Sequence, residues 1–269
     1  MDEETKRLLS RCDEHFAKAA EGVFSATEFL TPAEAYRLSG HVSRRGQTAQ
    51  ALFWGGAPDT ERTVLCALPD YYLPYEEMER GAAEEYIRET AKTELMATVS
   101  AVLVKGSTYR ALTHRDYLGS ILALGIRRSV VGDIVLQDDS SAVIFVLTHM
   151  QEFLCENLAR IGSDKVTVMP FDVPSDFRVE RRYETVTDSI ASPRLDCVVG
   201  GLLNLSRERA KETIAAGLVE LNYETATEID EIVRDGDFLS ARGYGKFVVD
   251  SVSETNRKGR IRLVARRYV

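Results

Sequence analysis

The middle of the chain carries an alternation of apolar patterns that restricts the fold more than any other feature. Four runs rich in β-branched residues read as strands, VSAVLVKG, VVGDIVL, SAVIFVL and KVTVMPF. HRDYLGSILALG lies between the first two, with Tyr117, Ile121 and Leu124 at helical spacing, and HMQEFLCENLARIG lies between the last two. The predicted order is β-α-β-β-α-β, a ferredoxin-like arrangement.

The aromatic content of these strands bears on what such a domain can bind. An RNA-recognition motif shares this order of elements, and its stacking form carries aromatic residues on the central strands. Here VSAVLVKG has none and SAVIFVL has only Phe145. We therefore expect an RRM-like domain that does not stack bases on its sheet.

The N-terminal block is predicted to be a small α+β unit. Glu3–Ala20 has the pattern of an amphipathic helix, and Thr31 with Glu34 three residues later forms a capping box that starts a second helix. Strands are predicted at Ala49–Trp54 and Thr63–Leu68. No catalytic motif is evident in this block.

A polar stretch, ERRYETVTDSIASPR, is predicted to join the middle block to the last one, with a boundary near Ser189–Ser192. The fold class is α+β, in three domains. They are an N-terminal α+β domain (1–75), a central ferredoxin-like or RRM-like domain (76–188) and a compact C-terminal domain (189–269).

The charge is distributed unevenly along the chain. A net charge of -8 argues against nucleic acid, because phosphate binding needs local positive potential. However, residues 192–269 hold 13 Lys/Arg against 12 Asp/Glu, whereas the rest of the chain holds 21 against 30. The stretch RKGRIRLVARR has six basic residues and no acidic one. The acidic excess therefore lies upstream of this region, and the clustered basic residues of the C-terminal region give it the local positive charge that an anionic ligand needs.

The segment SRERAKETIAAG predicts a short helix with Ser206 as N-cap and Gly217 after its end. Arg207 and Arg209 lie in its first turn, where the helix dipole disfavours a cation by about 0.3–1 kcal/mol each. One interpretation is that Arg207 and Lys211 only exchange salt bridges with the neighbouring glutamates. The other is that the misplaced cations mark a functional surface.

The surrounding pattern favours the second interpretation. PRLDCVVGGLLNLSRERAKETIAAGLVELN followed by DGDFLSARGYGKFVV resembles the S-four RNA-binding domain, with the landmarks RLD, SR, a helix, GLVxxN, GD and RGxGK in order. The resemblance covers nearly all of residues 193–247 and implies contact with structured RNA. The candidate RNA-contact residues on this C-terminal module are Arg194, Ser206, Arg207, Arg209, Lys211, Arg242 and Lys246.

Three further positions qualify this assignment. Asp196 is expected to orient Arg194 or to cap a helix rather than to touch phosphate. Asn222-Tyr223 stands where the family commonly has Asn-Gly, which puts the tight hairpin turn in doubt. The basic tail, with Arg257, Lys258 and Arg260, either extends the RNA surface or forms the exposed face of an edge strand, and the lack of acidic neighbours in the sequence favours RNA.

Upstream segments extend the resemblance to a narrower group. FLTPAEAY and LTHRDYLGSILALGIRRSVVGDI resemble the YlmH family of bacterial S-four-domain proteins, over most of the chain. The resemblance implies association with the large ribosomal subunit and, in some bacteria, rescue of obstructed subunits that carry peptidyl-tRNA. Ribosomal RNA is then the expected partner and tRNA a further candidate. The expected protein is not an enzyme and needs no cofactor.

Two other function classes compete with this interpretation. SPRLDCVVGGLLNLS resembles the RLDxxTTGLL segment of pseudouridine synthases, which would make Asp196 a catalytic nucleophile, but Pro193 and Val199 replace the expected glycine and threonine. An adaptor would instead use the acidic N-terminal block to meet a protein partner.

The remaining features set broad limits. The four histidines lack HExxH spacing and no CxxC pair is present, so no metal site is predicted. The four scattered cysteines are expected to be reduced. No run of about 20 apolar residues predicts a membrane span, and the acidic N-terminus differs from a secretory signal. We expect a cytoplasmic protein and a monomer, although the sequence leaves the oligomeric state open.

Overall fold

The computed structural model describes residues 3–75, 78–106, 111–179, 182–252 and 259–268. The chain folds into two compact units, Met1–Val179 and Glu180–Val269. Helices and antiparallel sheets occur in both, which confirms the predicted α+β class. The finer division into three domains stays a prediction.

The first unit contains the N-terminal and central elements. Its described helices are α1 (Glu3–Ala20), α2 (Pro32–Arg44), α3 (Arg80–Thr90), α4 (Lys92–Thr98), α5 (His114–Ala123) and α6 (Gln151–Asn157). Its described strands are β1 (Ser25–Ala26), β2 (Ala51–Trp54), β3 (Val64–Ala67), β4 (Val99–Gly106), β5 (Val131–Leu136), β6 (Ser141–Leu147), β7 (Arg160–Ile161) and β8 (Asp164–Phe171).

The N-terminal elements build a three-stranded sheet in the order β1-β3-β2, against which α1 and α2 pack. The predicted capping box at the start of α2 is confirmed: the Glu34 N–H donates to Thr31 Oγ1 at 3.3 Å, and the Thr31 N–H donates to Glu34 Oε2 at 2.7 Å. Cys12, Phe16 and Leu38 lie in the shared core. Burial, the largest cause, raises the pKa of the Cys12 thiol to about 11, so this cysteine stays protonated and structural.

The central elements confirm the predicted β-α-β-β-α-β order. Their sheet has the strand order β5-β6-β4-β8-β7, all antiparallel, in which β4 lies between β6 and β8 as a ferredoxin-like fold requires. The second helix is shorter than predicted, because α6 ends at Asn157 and Arg160–Ile161 pairs with β8. Gly162, with φ of 59°, makes the turn that sends the chain back.

Phe145, the aromatic residue noted on the central strands, is fully buried. A Cβ atom at Gly56 would lie 2.3 Å from Phe145 Cδ1, and the Phe177 ring centroid lies 6.0 Å from that of Phe145. Neighbouring segments therefore cover this part of the sheet. Phe145 cannot stack on a base, in agreement with the expectation from sequence.

The second unit is a helical pair on a six-stranded antiparallel sheet. Its described elements are β9 (Tyr183–Ile190), α7 (Leu195–Leu203), α8 (Arg207–Ala215), β10 (Val219–Leu221), β11 (Glu224–Thr225), β12 (Phe238–Ala241), β13 (Gly245–Ser251) and β14 (Ile261–Tyr268). The strand order is β11-β10-β12-β13-β14-β9. One face packs on α7 and α8 through buried residues such as Leu195, Ile214 and Phe247.

The strand β9 corrects the prediction of a polar connection before the last domain. It pairs with β14 along its whole length, from Tyr183 opposite Tyr268 to Ile190 opposite Ile261. It also packs on α7 so closely that a Cβ atom at Gly201 would lie 2.8 Å from Asp188 Oδ2. YETVTDSI is therefore a strand of the second unit, and it spans the boundary that the sequence placed at 188/189.

The hairpin between β10 and β11 keeps its tight turn without the glycine common in the S-four family. Asn222 and Tyr223 have φ of 51° and 67°, the left-handed region that a two-residue type I′ turn requires. Asn222 Oδ1 accepts from the Phe238 N–H at 3.0 Å, and its Nδ2 donates to Asp237 Oδ1 at 2.9 Å. The side chain of Asn222 thus anchors the turn to β12.

Candidate nucleic-acid interface

A buried carboxylate organises two of the predicted contact residues. Asp196, in the first turn of α7, has no exposed surface. Its Oδ1 accepts from Arg194 Nε at 3.1 Å, and its Oδ2 accepts from Arg194 Nη2 at 3.4 Å and from Arg207 Nε at 3.2 Å. The structure thereby shows Asp196 beside Arg194, as expected, and adds Arg207 to the same cluster.

The electrostatics of this cluster favour the ionised carboxylate. Burial, the largest single cause, raises the pKa of Asp196. The hydrogen bonds from Arg194, Arg207 and Cys197 and the positive charge of Arg194 lower it, and the pKa lies below its usual value. The bond to Asp196 is the main cause that raises the pKa of Arg194. Arg194 and Asp196 are therefore both charged at neutral pH, and the exposed carboxylate of Asp230 lies beside them, with its Oδ2 4.0 Å from Arg194 Nη1.

Local backbone structure explains how residues eleven positions apart meet. The helix α7 ends at Leu203, and its C-cap residue Asn204, with φ of 53°, reverses the chain. Ser206 then caps α8 by accepting the Arg209 N–H at 3.4 Å. This short connection turns Arg207 back toward the start of α7. Ser206, a predicted contact residue, therefore has a structural role as N-cap.

The same contact explains why a cation stands in the first turn of α8. The dipole penalty for an exposed charge there is about 0.3–1 kcal/mol. A charge-assisted bond to a fully buried carboxylate offsets a penalty of that size. Arg207 therefore occupies a position where the helix dipole disfavours a cation, because its tertiary contact with Asp196 offsets that cost.

The two arginines still present surface to a ligand. The side chain of Arg207 is 60% exposed and that of Arg194 is 33% exposed. Among the described residues, Arg207 bonds to Asp196 through Nε alone, which leaves its two Nη nitrogens for another acceptor. Asp196 acts as an internal support for both guanidinium groups. The Nη edge of Arg207 remains outward, whereas Nη1 of Arg194 lies 4.0 Å from Oδ2 of the exposed Asp230.

The other predicted residues of the helix and the hairpin are exposed to different degrees. Arg209 is exposed and has no carboxylate partner in the described part of the chain. Lys211 Nζ lies 3.6 Å from Glu208 Oε1, so the simple salt-bridge interpretation holds for this residue. Arg242 lies exposed at the tip of the β12–β13 hairpin, where its N–H donates to the Leu218 carbonyl at 2.9 Å.

Lys246 lies on a different face from the arginine cluster. It alternates along β13 with Phe247, which is buried against the helices, so Lys246 is on the face of the sheet away from α7 and α8. The predicted residues therefore divide between the helical side and the open face of the sheet. They divide in this way because side chains alternate between the two faces of a strand, so that neighbours in the sequence point to opposite sides.

The structure changes the interpretation of the basic tail. Arg257 and Lys258 lie outside the described residues. Arg260 Nη2 donates to the Ser189 carbonyl. The alternative of an edge strand is wrong, because β14 lies between β13 and β9.

Acidic partners of the tail come from the neighbouring strands rather than from the tail itself. Arg266 Nε lies 2.8 Å from Asp250 Oδ1 on β13, and Arg267 Nη1 lies 3.8 Å from Glu184 Oε2 on β9. The expectation that the tail lacks acidic partners is therefore wrong for these two arginines. Cross-strand pairs of this kind cannot be found from spacing along the sequence.

The rival active site is not supported by this geometry. Both oxygens of Asp196 are bonded to arginines and the side chain is fully buried, so a substrate could not reach it. Within the described ranges, no three His, Cys, Asp or Glu side chains come together as a metal site. Nor does any described helix have the length and apolar character to cross a membrane.

The architecture defines an α+β protein in which a β-α-β-β-α-β sheet is followed by a helical pair on a second antiparallel sheet. Residues 100–175, within the first of these, match the family described as "Putative RNA-binding domain in YlmH". The predicted resemblance to the YlmH family is thereby confirmed.

Two proteins are similar to this chain. The chain is 28% identical over 243 residues to the "Ribosome-associated protein quality control protein P2" of Bacillus subtilis (strain 168), covering 90% of this chain and 86% of that protein. A solved structure, "Cell division protein ylmH from Streptococcus pneumoniae", aligns with a TM-score of 0.48 and 18% identity, over 66% of this chain and 97% of that one.

The family match draws attention to residues that the sequence patterns did not single out. Lys105, Arg160 and Lys165 are all exposed and belong to β4, β7 and β8. Arg160 is opposite Lys165, and Lys105 is opposite Thr167, so the three share one face near one end of the central sheet. The sequence did not show this grouping, because the three cations lie on separate strands that only the folded sheet brings together.

Proposed function

We propose that this protein is a non-catalytic RNA-binding protein that binds structured rRNA on the large ribosomal subunit. It acts in the cytoplasm as a monomer, in the quality control of stalled translation, with peptidyl-tRNA as a further ligand. Two findings support the proposal: the RNA-binding family matched by residues 100–175, and the name of the Bacillus subtilis relative.

The observation that carries the proposal is the pair of arginines held on Asp196. A guanidinium fixed at one edge presents its other N–H groups in a defined direction, which suits the phosphate oxygens of a folded RNA. Little side-chain entropy is then lost on binding, because Arg194 and Arg207 are already ordered by the carboxylate. Such contacts recognise the shape of the backbone rather than the base sequence.

The proposed contacts on the second unit combine these arginines with other cations, and they do not share one face, because Lys246 lies on the side of the sheet away from α7 and α8. The proposed contacts are Arg194, Ser206, Arg207, Arg209, Lys211, Arg242, Lys246, Arg257, Lys258 and Arg260. Ser206 and Lys211 are the weakest candidates, since the structure gives each an internal partner.

The experiment measures binding of the full chain to purified large ribosomal subunits by cosedimentation over a range of KCl concentrations. The clean variants are Arg209→Glu and Arg242→Glu, because both side chains are exposed, whereas Arg207→Glu would place a second carboxylate beside Asp196. Each should weaken binding. The slope of log affinity against log salt concentration should become shallower by roughly 0.7–0.9 for each phosphate contact that a variant loses.

The matched control is Arg11→Glu, which makes the same change of charge on an exposed position of α1. A general electrostatic effect would weaken all three variants equally and would contradict a local site. An adaptor is tested by truncation before Tyr183, which also removes β9: the adaptor would keep its main partner, whereas the RNA-binding protein would lose the subunit.

A further inference from the structure

The six-stranded sheet of the second unit has an open face that the helices do not cover. Leu239, Phe247 and Ala265 face the helical pair and are buried. The residues that alternate with them, including Phe238 on β12 and Lys246 on β13, must face the other way. Both are at least partly exposed to solvent.

Aromatic rings form a continuous row across this open face. The Tyr223 and Phe238 rings are stacked, with centroids 4.4 Å apart and planes 13° apart. Phe238 meets Tyr268 edge-on at 6.3 Å, and Tyr268 meets Tyr183 at 5.1 Å. The Arg266 guanidinium lies 5.0 Å above the Tyr183 ring. The row therefore runs from the β10–β11 hairpin to the strand β9.

Backbone strain at one end of the row points to function. Tyr223 has φ of 67°, a conformation that costs a bulky L-residue energy and that glycine would adopt freely. The stack on Phe238 keeps the ring on the sheet despite this strain. Strained residues that persist in this way often lie at ligand sites.

The charges beside the rings indicate an anionic ligand. Lys246, Arg262 and Arg266 lie on the open face by strand alternation, as does Glu220. Asp250 lies beside them through its pair with Arg266 at 2.8 Å. Lys246 and Arg262 are exposed and have no carboxylate partner among the described residues.

We propose that this open face binds unpaired nucleotides of RNA, with the aromatic row contacting bases and the cations contacting phosphates. Surfaces that bind single-stranded nucleic acid combine these two components, since every base has a face that stacks on a ring. A protein ligand would satisfy the rings but would not need cations beside them. The site is separate from the arginines held on Asp196, and it extends the proposed function from structured RNA to unpaired RNA.

The test measures the affinity of the full chain for a fluorescein-labelled 12-nucleotide oligouridine by fluorescence anisotropy at low salt. Tyr223→Gly removes the ring at a position where glycine relieves backbone strain, so the variant is expected to fold. It should weaken oligouridine binding by about fivefold or more, because a base loses the ring on which it stacks. Tyr223→Phe should restore binding, because it keeps the ring.

Two controls separate this proposal from the proposed function. Tyr75→Gly removes a tyrosine that is 92% exposed in the first unit and should leave oligouridine binding unchanged. Arg209→Glu should weaken subunit binding more than oligouridine binding. The proposal is overturned if oligouridine does not bind, or if Tyr223→Gly binds it as tightly as the unaltered chain. Loss of oligouridine binding in Tyr223→Gly would support the binding of unpaired RNA to the open face, even if Arg209→Glu left subunit binding intact.

Discussion

Removing both arginines that hold Asp196 should cost far more stability than removing them one at a time. Arg207→Ala deletes one charge-assisted bond, made to Asp196 by a guanidinium group that is itself 60% exposed, which we expect to cost about 1 kcal/mol. Arg194→Ala leaves Arg207 in place and should cost a similar amount. The double variant leaves a buried carboxylate with no cation, which costs about 3–5 kcal/mol.

Hydrogen–deuterium exchange of the amides in α7 and α8 measures this locally. A decrease of about 3 kcal/mol in stability should speed exchange that occurs through unfolding of the second unit by roughly 100-fold, against less than about tenfold for each single variant. Adding Asp196→Asn to the double variant should recover stability, because the uncompensated charge is then gone. Additive single effects, or no recovery, would refute the view that Asp196 is a shared anchor.

Three further predictions concern stability. Because the pKa of Asp196 is lowered in the folded state, the stability that its ionised form contributes is present above the ordinary aspartate pKa of about 3.9 and is lost as pH falls through the folded pKa. Thermal unfolding measured at decreasing pH should show this loss of stability. The Asp196→Asn variant should not show it. Gly217→Ala should cost about 1–2 kcal/mol in urea unfolding through its φ of 66° alone, because the added Cβ meets nothing closer than 3.7 Å. Gly56→Ala should cost more than Gly217→Ala in the same assay, because its Cβ would also lie 2.3 Å from Phe145; equal costs would contradict the packing described there.

Elements with strong local patterns could be predicted from the sequence. The strands β4 and β6 match their predicted runs residue for residue, because both are largely apolar runs that contain several β-branched residues. The start of α2 was predictable because a capping box is encoded within four residues. The ferredoxin-like strand order then followed from the order of elements.

Features that depend on distant residues could not be predicted in this way. The strand β9 is mostly polar, and the apolar partners that make it a strand are supplied by β14 and α7. The bond between Arg207 and Asp196 depends on the left-handed turn at Asn204. Similarly, the aromatic row joins Tyr183 to Tyr268, which only the folded sheet brings together.

Ultraviolet crosslinking of the full chain to RNA in cells, with identification of both the RNA and the crosslinked peptides, tests the central claim most directly. We predict that large-subunit rRNA is enriched and that crosslinked peptides include those carrying Arg194, Arg207 and Arg242. The Arg209→Glu and Arg242→Glu variants should reduce this signal, whereas Arg11→Glu should not. Crosslinks confined to the first unit, or to RNA outside the ribosome, would contradict the account.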